Sequence, residues 1–218
     1  MESIHLPIAV AVVIAYVMGS IPSAYIAGKV HGVDLRQHGS GNLGATNVVR
    51  VLGIRTGSVV FIVDTLKGFL PVFFLPQFTV ATYPAVLSLL LGAAAILGHV
   101  RPVFLLGQKG GKGVATAGGV FLGVAWLPAL IAFAVWVVVF VTSRYVSVAS
   151  LSAAVALPFA FFYTGSALND PYFIASVVVA LFVFFTHRAN IGRLRRGEEH
   201  RFARKRPGAT SDSPPGTA

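Results

Sequence analysis

Six long apolar runs, at residues 6–27, 58–75, 84–97, 114–141, 146–163 and 172–186, govern what this chain can fold into. A spanning helix needs about 20 apolar residues, with shorter ones tolerated by burial or local bilayer thinning. Charged residues make up 11% of the chain, against about 25% in a soluble domain. Mean hydropathy is +0.79. These features predict an all-α integral membrane protein, a polytopic helical bundle.

Lys and Arg concentrate in 28–57, 100–113 and 188–206, whereas 76–83 and 164–171 carry none. The positive-inside rule then places the three basic segments and the C-terminus in the cytoplasm and the N-terminus outside. Between residues 113 and 188, both inside, the chain must cross an even number of times, yet three runs are visible there. The 114–141 run resolves the parity: as one helix it would extend about 42 Å, beyond a hydrocarbon core of ~30 Å. Gly123, Trp126 and Pro128 mark a turn near its middle. Splitting it gives about seven transmembrane helices, two of them short, with a re-entrant hairpin as the alternative, and also puts Arg144 inside. The net charge of +10 follows this topology and does not indicate nucleic acid. There is no cysteine, which excludes disulfides and thiolate metal sites. No Lys or Arg precedes the first apolar run, so no cleavable leader is expected. Residues 1–200 read as a single transmembrane catalytic domain. Residues 201–218 read as a basic tail, disordered from about residue 207, with its arginines on anionic lipid headgroups.

Three polar clusters then fall on one side of the membrane. The first, Gly39-Ser40-Gly41-Asn42-Leu43-Gly44-Ala45-Thr46-Asn47-Val48-Val49-Arg50, is glycine-rich and precedes a helix. Consecutive N–H groups in such a turn form an anion-binding concavity, and the helix start adds its positive end. Asn47 and Arg50, at i, i+3, share a face. Ser40, Gly41, Asn42, Gly44, Thr46, Asn47 and Arg50 are candidate ligands of a phosphate and a hydroxyl; a solvated loop with a capped helix is the other reading. The second cluster is Gly98-His99-Val100-Arg101-Pro102 with Lys109-Gly110-Gly111-Lys112-Gly113-Val114-Ala115-Thr116. Gly110, Gly111 and Gly113 allow a tight turn that presents Lys112 and backbone N–H groups to an anion, with His99 nearby. A basic turn that only fixes topology is the alternative. A Walker A loop needs Gly at 106 and Ser or Thr at 113, where the chain has Leu106 and Gly113, so a P-loop ATPase is rejected.

The third cluster is His187-Arg188-Ala189-Asn190-Ile191-Gly192-Arg193, continuing to Glu198-Glu199. If the last helix continues, His187, Asn190 and Arg193 lie along one face, where His187 and Asn190 could donate to phosphate oxygens; a juxtamembrane anchor fits as well. Asp64 and Lys67, at i, i+3 inside an apolar run, read as an ion pair that supports the site. No His-x-x-x-x-Asp box occurs: the fifth position after His31, His38 and His99 holds Arg36, Leu43 and Phe104. No HExxH or other histidine cluster has metal-ligand spacing, so no metal and no cofactor is expected.

The stretches GSGNLGATNVVR, GHVRP…GGKGVAT and HRANIGRLRRGEE, in this order and spacing, resemble the bacterial acyl-phosphate:glycerol-3-phosphate acyltransferase family over about residues 5–200. The resemblance implies transfer of a fatty acyl group from acyl-phosphate to the 1-hydroxyl of glycerol-3-phosphate, giving lysophosphatidic acid and inorganic phosphate. It implies a seven-helix fold in the bacterial plasma membrane with cytoplasm-facing motifs, and functional coupling to the enzyme that makes acyl-phosphate. Ser40, Arg50, Lys112, His187 and Asn190 match the family's motif residues. The segment Leu106-Gly107-Gln108-Lys109 departs from it, lacking an aromatic–basic pair and being one residue longer. An acyl-phosphate already carries a good leaving group, so aligning two anionic groups is the main task. From the residues alone, a transporter of phosphate-bearing anions, or an acyltransferase using acyl-CoA or acyl carrier protein, remains open.

Overall fold

The computed structural model describes residues 5–202; residues 203–218, most of the expected tail, lie outside them. Among the described residues ten α-helices make up the bundle: α1 (Ile8–Gly19), α2 (Ser23–Val30), α3 (Ala45–Leu52), α4 (Ile54–Phe74), α5 (Pro84–Val100), α6 (Val114–Val124), α7 (Trp126–Ser143), α8 (Val146–Tyr163), α9 (Pro171–Thr186) and α10 (Arg188–Arg195). Five segments are long and apolar enough to cross a membrane: α1 with α2, α4, α5, α7 and α8. The pair α9 and α10, bent by 58°, makes a sixth if counted as one span. The chain is a multi-pass membrane protein.

Proline and glycine set the breaks. Pro22 divides the first apolar run into α1 and α2, a division not anticipated from hydropathy. The 114–141 run breaks at Ala125, between α6 and α7. Val114 and Trp136 line one groove while Phe121 packs with Ala129, so α6 and α7 run antiparallel. The α6 helix has 11 residues, about 16 Å of rise.

Water is absent from a bilayer core, so packing of small residues does the work that hydrophobic burial does in solution. A Cβ on Gly68 would lie 2.1 Å from the Thr116 carbonyl oxygen, and one on Gly119 would lie 1.9 Å from that of Thr65. The α4 and α6 backbones therefore touch. Gly19 against Ala95 and Gly98 against Tyr16 bring α1 and α5 together in the same way. These contacts hold the α5–α6 loop over α4, beside the loop that precedes α3.

Candidate active site

The loop before α3 is built around Asn47, which is 1% exposed. Its Oδ1 accepts from the Ser40 N–H at 2.8 Å, and its Nδ2 donates to the carbonyls of Leu35 and His38 at 3.1 and 3.0 Å. The Gly41 N–H donates to the His38 carbonyl at 3.1 Å. Gly39, at φ +62°, must be glycine, because a Cβ there would lie 2.3 Å from Asn47 Oδ1. The expected row of amides cradling an anion is thus corrected: those of Ser40 and Gly41 turn inward. Asn47, with both amide hydrogens committed, organises the loop and cannot donate to a phosphate. The free donors lie further on. Gly44 caps α3 without a side-chain hydrogen bond, and the N–H groups of Ala45 and Thr46 have no acceptor among the described residues.

The glycine turn after α5 follows the same logic. The Gly110 N–H donates to the Val100 carbonyl at 3.0 Å, and a Cβ on Gly111 would meet His99 Nε2 at 2.1 Å. Gly110 and Gly111 are buried against His99 and Pro102, away from the cavity, so they shape the turn and do not bind there. Gly113, at φ +83°, starts α6, whose first N–H groups, on Val114 and Ala115, are likewise uncapped. Two helix N-termini therefore point their positive ends at one place. Arg36 links the two loops, pairing with Asp34 and donating to Gln108 Oε1 at 2.9 Å. That gives Gln108, in the segment departing from the family pattern, a structural partner.

Beneath the turn, Asp64 Oδ1 accepts from Ser23 Oγ at 2.6 Å, meets Lys67 Nζ at 2.8 Å, and lies 3.7 Å from His99 Nδ1. Lys67 also donates to the Ile21 carbonyl at 2.9 Å, next to the break between α1 and α2. All three of Asp64, Lys67 and His99 are buried. The cluster ties α2, α4 and α5 together, and Asp64 and His99 also line the cavity floor.

The third cluster sits where α9 bends into α10. His187, 3% exposed, donates from Nδ1 to the Val183 carbonyl at 2.9 Å, which leaves Nε2 of the neutral ring as an acceptor. This tautomer does not supply the phosphate donor expected of His187. Asn190 bridges two charged groups. Its Oδ1 accepts from Lys112 Nζ, and its Nδ2 donates to Glu199 Oε1 at 2.6 Å. Arg193 Nε donates to Glu199 Oε2 at 2.7 Å, so Arg193 is committed to Glu199 and does not line the cavity. Burial pushes the Glu199 carboxyl up, but hydrogen bonds from Asn190 and Arg193 outweigh it and hold the group below the usual carboxylate range. Lys112 is pushed down to about 8, chiefly by burial, against the pull of Glu199 and with help from Arg193 and Arg50.

One cavity, open at its mouth, collects Ser40, Asn42, Gly44, Thr46, Asn47, Arg50, Lys112, Gly113, His187 and Asn190. Gly41 is not among its lining residues. Its carboxylates are partnered, Asp64 by Lys67 and Glu199 by Arg193. Arg50 and Lys112 have no such partner among the described residues. Four lining residues with polar side-chain atoms escaped the sequence reading: Trp136, Ser147, Ser150 and Glu199. Ser147 is 4% exposed and faces Glu199, with no hydrogen bond of full geometry among the described residues. Trp136 Nε1 donates to Ser150 Oγ at 3.3 Å. Phe61, Val114, Ala115, Trp136 and Ser150 also line a second space, a largely apolar groove between α4, α6, α7, α8 and α9. Its lip carries exposed Phe61, Leu130 and Phe133.

A cationic cavity that shares a wall with an apolar groove, within a helical membrane bundle, defines a membrane protein shaped for amphiphiles with an anionic head. The family model for glycerol-3-phosphate acyltransferase matches residues 9–197, and the chain belongs to that family of phospholipid-synthesis enzymes. A glycerol-3-phosphate acyltransferase of Aquifex aeolicus is 43% identical over 88% of this chain and 97% of its own. One from Geotalea daltonii is 46% identical over 89% and 97%. Two crystal structures of PlsY (YgiH), an integral membrane glycerol 3-phosphate acyltransferase, are also similar. The glycerol 3-phosphate form superposes with a TM-score of 0.81 at 42% identity, covering 90% of this chain and 96% of that one. The lysophosphatidic acid form gives 0.79 at 41%, covering 90% and 95%.

Proposed function

We propose that this chain transfers a fatty acyl group from acyl-phosphate to the 1-hydroxyl of glycerol-3-phosphate. The observation that carries this reading is the shared wall of the cavity and the groove at Trp136 and Ser150. It sets an anionic head among Arg50, Lys112 and two uncapped helix starts while its chain lies in apolar surroundings. The glycerol oxygen attacks the acyl carbon and the bond from that carbon to the phosphate oxygen breaks. The products are lysophosphatidic acid and inorganic phosphate. The hydroxyl proton passes to a phosphate oxygen, with His187 Nε2 as a hydrogen-bond acceptor that orients the hydroxyl. Ser40, Arg50, Lys112 and Asn190 surround the phosphates, and Asn42, Gly44 and Thr46 complete the α3 side. Developing negative charge meets fixed donors, which is where preorganisation has its largest effect. Asp64 and Lys67 support the site from below.

In this reading the protein lies in the bacterial plasma membrane and crosses it seven times, α6 being a short crossing. The N-terminus is outside, with the C-terminus and the site cytoplasmic. Acyl-phosphate reaches it from the enzyme that makes that donor. The apolar groove beneath the cavity offers an anion no polar path onward, which disfavours transport.

The test is to give the purified protein glycerol-3-phosphate with acyl-phosphate, acyl-CoA or acyl carrier protein in turn. Lysophosphatidic acid and stoichiometric phosphate release are expected with acyl-phosphate alone. Equal turnover with a thioester donor would overturn the donor assignment, and anion uptake by proteoliposomes without acyl product would overturn the reaction.

A further inference from the structure

The short segment after α10 touches the site from a direction that the three motifs do not account for. Phe202 lies beyond residue 197, where the family match ends. Its N–H donates to the Arg144 carbonyl at 3.0 Å, and its ring meets Phe140 edge-on at 5.6 Å. Arg201 next to it donates from Nε to the Ser143 carbonyl at 3.2 Å and lies over the Tyr145 ring. The segment is thereby fastened to the α7–α8 turn, one turn of helix before Ser147. At its other end, Glu199 is held by Asn190 and Arg193. Between these anchors the Phe202 ring faces the Arg50 guanidinium, whose central carbon is 5.3 Å from the ring centroid.

This contact differs in kind from an ion pair. Among the described residues no acceptor takes a hydrogen bond from the Arg50 side chain, and the nearby charges are Glu199, Arg193 and Lys112. A carboxylate partner would occupy the N–H groups of the guanidinium and cancel its charge. A ring face holds the plane of the group through its quadrupole and leaves all five donors for an anion. An arginine that must recognise phosphate gains from such a support, since bidentate binding depends on the plane's orientation.

We propose that Phe202 is a positioning residue, whose ring fixes the Arg50 guanidinium so that its donors face the phosphate of a substrate. The proposal rests on the reading that Arg50 binds a phosphate-bearing substrate. Phe202→Leu keeps the apolar contact with Phe140 and removes the π face, while Phe202→Trp and Phe202→Tyr keep that face.

The experiment measures KM for glycerol-3-phosphate, KM for acyl-phosphate, kcat and thermal midpoint in the full-length protein for these three variants, with Arg50→Ala alone and combined with Phe202→Leu. Phe202→Leu should raise one of the two KM values by about 3- to 30-fold at an unchanged thermal midpoint, the affected substrate being the one Arg50 holds. Phe202→Trp or Phe202→Tyr should restore it, and Phe202→Leu should add nothing to Arg50→Ala. A Phe202→Leu enzyme with both KM values unchanged overturns the proposal, as does equal impairment by Leu, Trp and Tyr. Wild-type turnover in Arg50→Ala would instead overturn the role given to Arg50 itself.

Discussion

Lys112 shows how burial and neighbouring charges set the working range of a side chain. Buried beside Arg50 and Arg193, Lys112 holds its proton less tightly than a surface lysine, and its value of about 8 falls close to physiological pH. Below that value the ammonium is present to bind phosphate; above it the free enzyme loses the cation. The pH profile of kcat/KM, which reports the free enzyme, should therefore fall on its basic side near pH 8. A profile flat to pH 10 would remove Lys112 from phosphate binding. Lys112→Ala should cost about 100- to 1000-fold in kcat, the range for removing one preorganised donor, while the protein stays folded. That Ser40, Arg50, Lys112, His187 and Asn190 border one cavity was legible in the sequence because polar residues stand out between apolar runs. Ser147 and Ser150 were not, since single hydroxyls inside an apolar helix look like packing. Glu199 stood in a charged run with nothing to distinguish it from Glu198, although only Glu199 is buried. The inward hydrogen bonds of Asn47 and Gly110 and the packing of Gly111 on His99 were not legible, because spacing cannot say which way an amide points.

Among the elements, α4 and α6 carry the closest backbone approach and the sharpest expectation. Gly118 and Gly119 are adjacent, yet a Cβ on Gly118 meets nothing within 4 Å while one on Gly119 would lie 1.9 Å from a carbonyl oxygen. Gly118→Ala should leave thermal stability unchanged. Gly119→Ala should destabilise by at least about 1–3 kcal/mol, the range for overpacking a filled interior, read as a lowered thermal midpoint in detergent. Equal midpoints for the two variants would mean that the helices are not in backbone contact. The break inside 114–141 was legible from length and charge parity, because one helix of that length would overshoot the hydrocarbon core and leave the crossing count odd. The break at Pro22 was not, because hydropathy averages over a single kink. Neither was the 58° bend at His187, since the run of residues there is compatible with a continuing helix.

At the scale of the whole molecule, the apolar groove and the cationic cavity lie side by side and share a wall. Filling the groove should act on the chain and not on the headgroup. Ala154→Phe, on the groove wall, should reduce turnover of a long-chain acyl donor more than that of a short-chain one, with KM for glycerol-3-phosphate unchanged. Equal loss for both donors would argue that the chain lies elsewhere.

The exposed lip of that groove at Phe61, Leu130 and Phe133 carries a consequence for how the enzyme meets its donor. A fatty chain can slide in sideways from the surrounding lipid and its product can slide out again without either entering water. The quantity that sets the rate is then a surface density, the number of donor molecules per unit of amphiphile. Adding inert detergent at constant total donor should slow the reaction in proportion to that dilution, although every bulk concentration of substrate is unchanged.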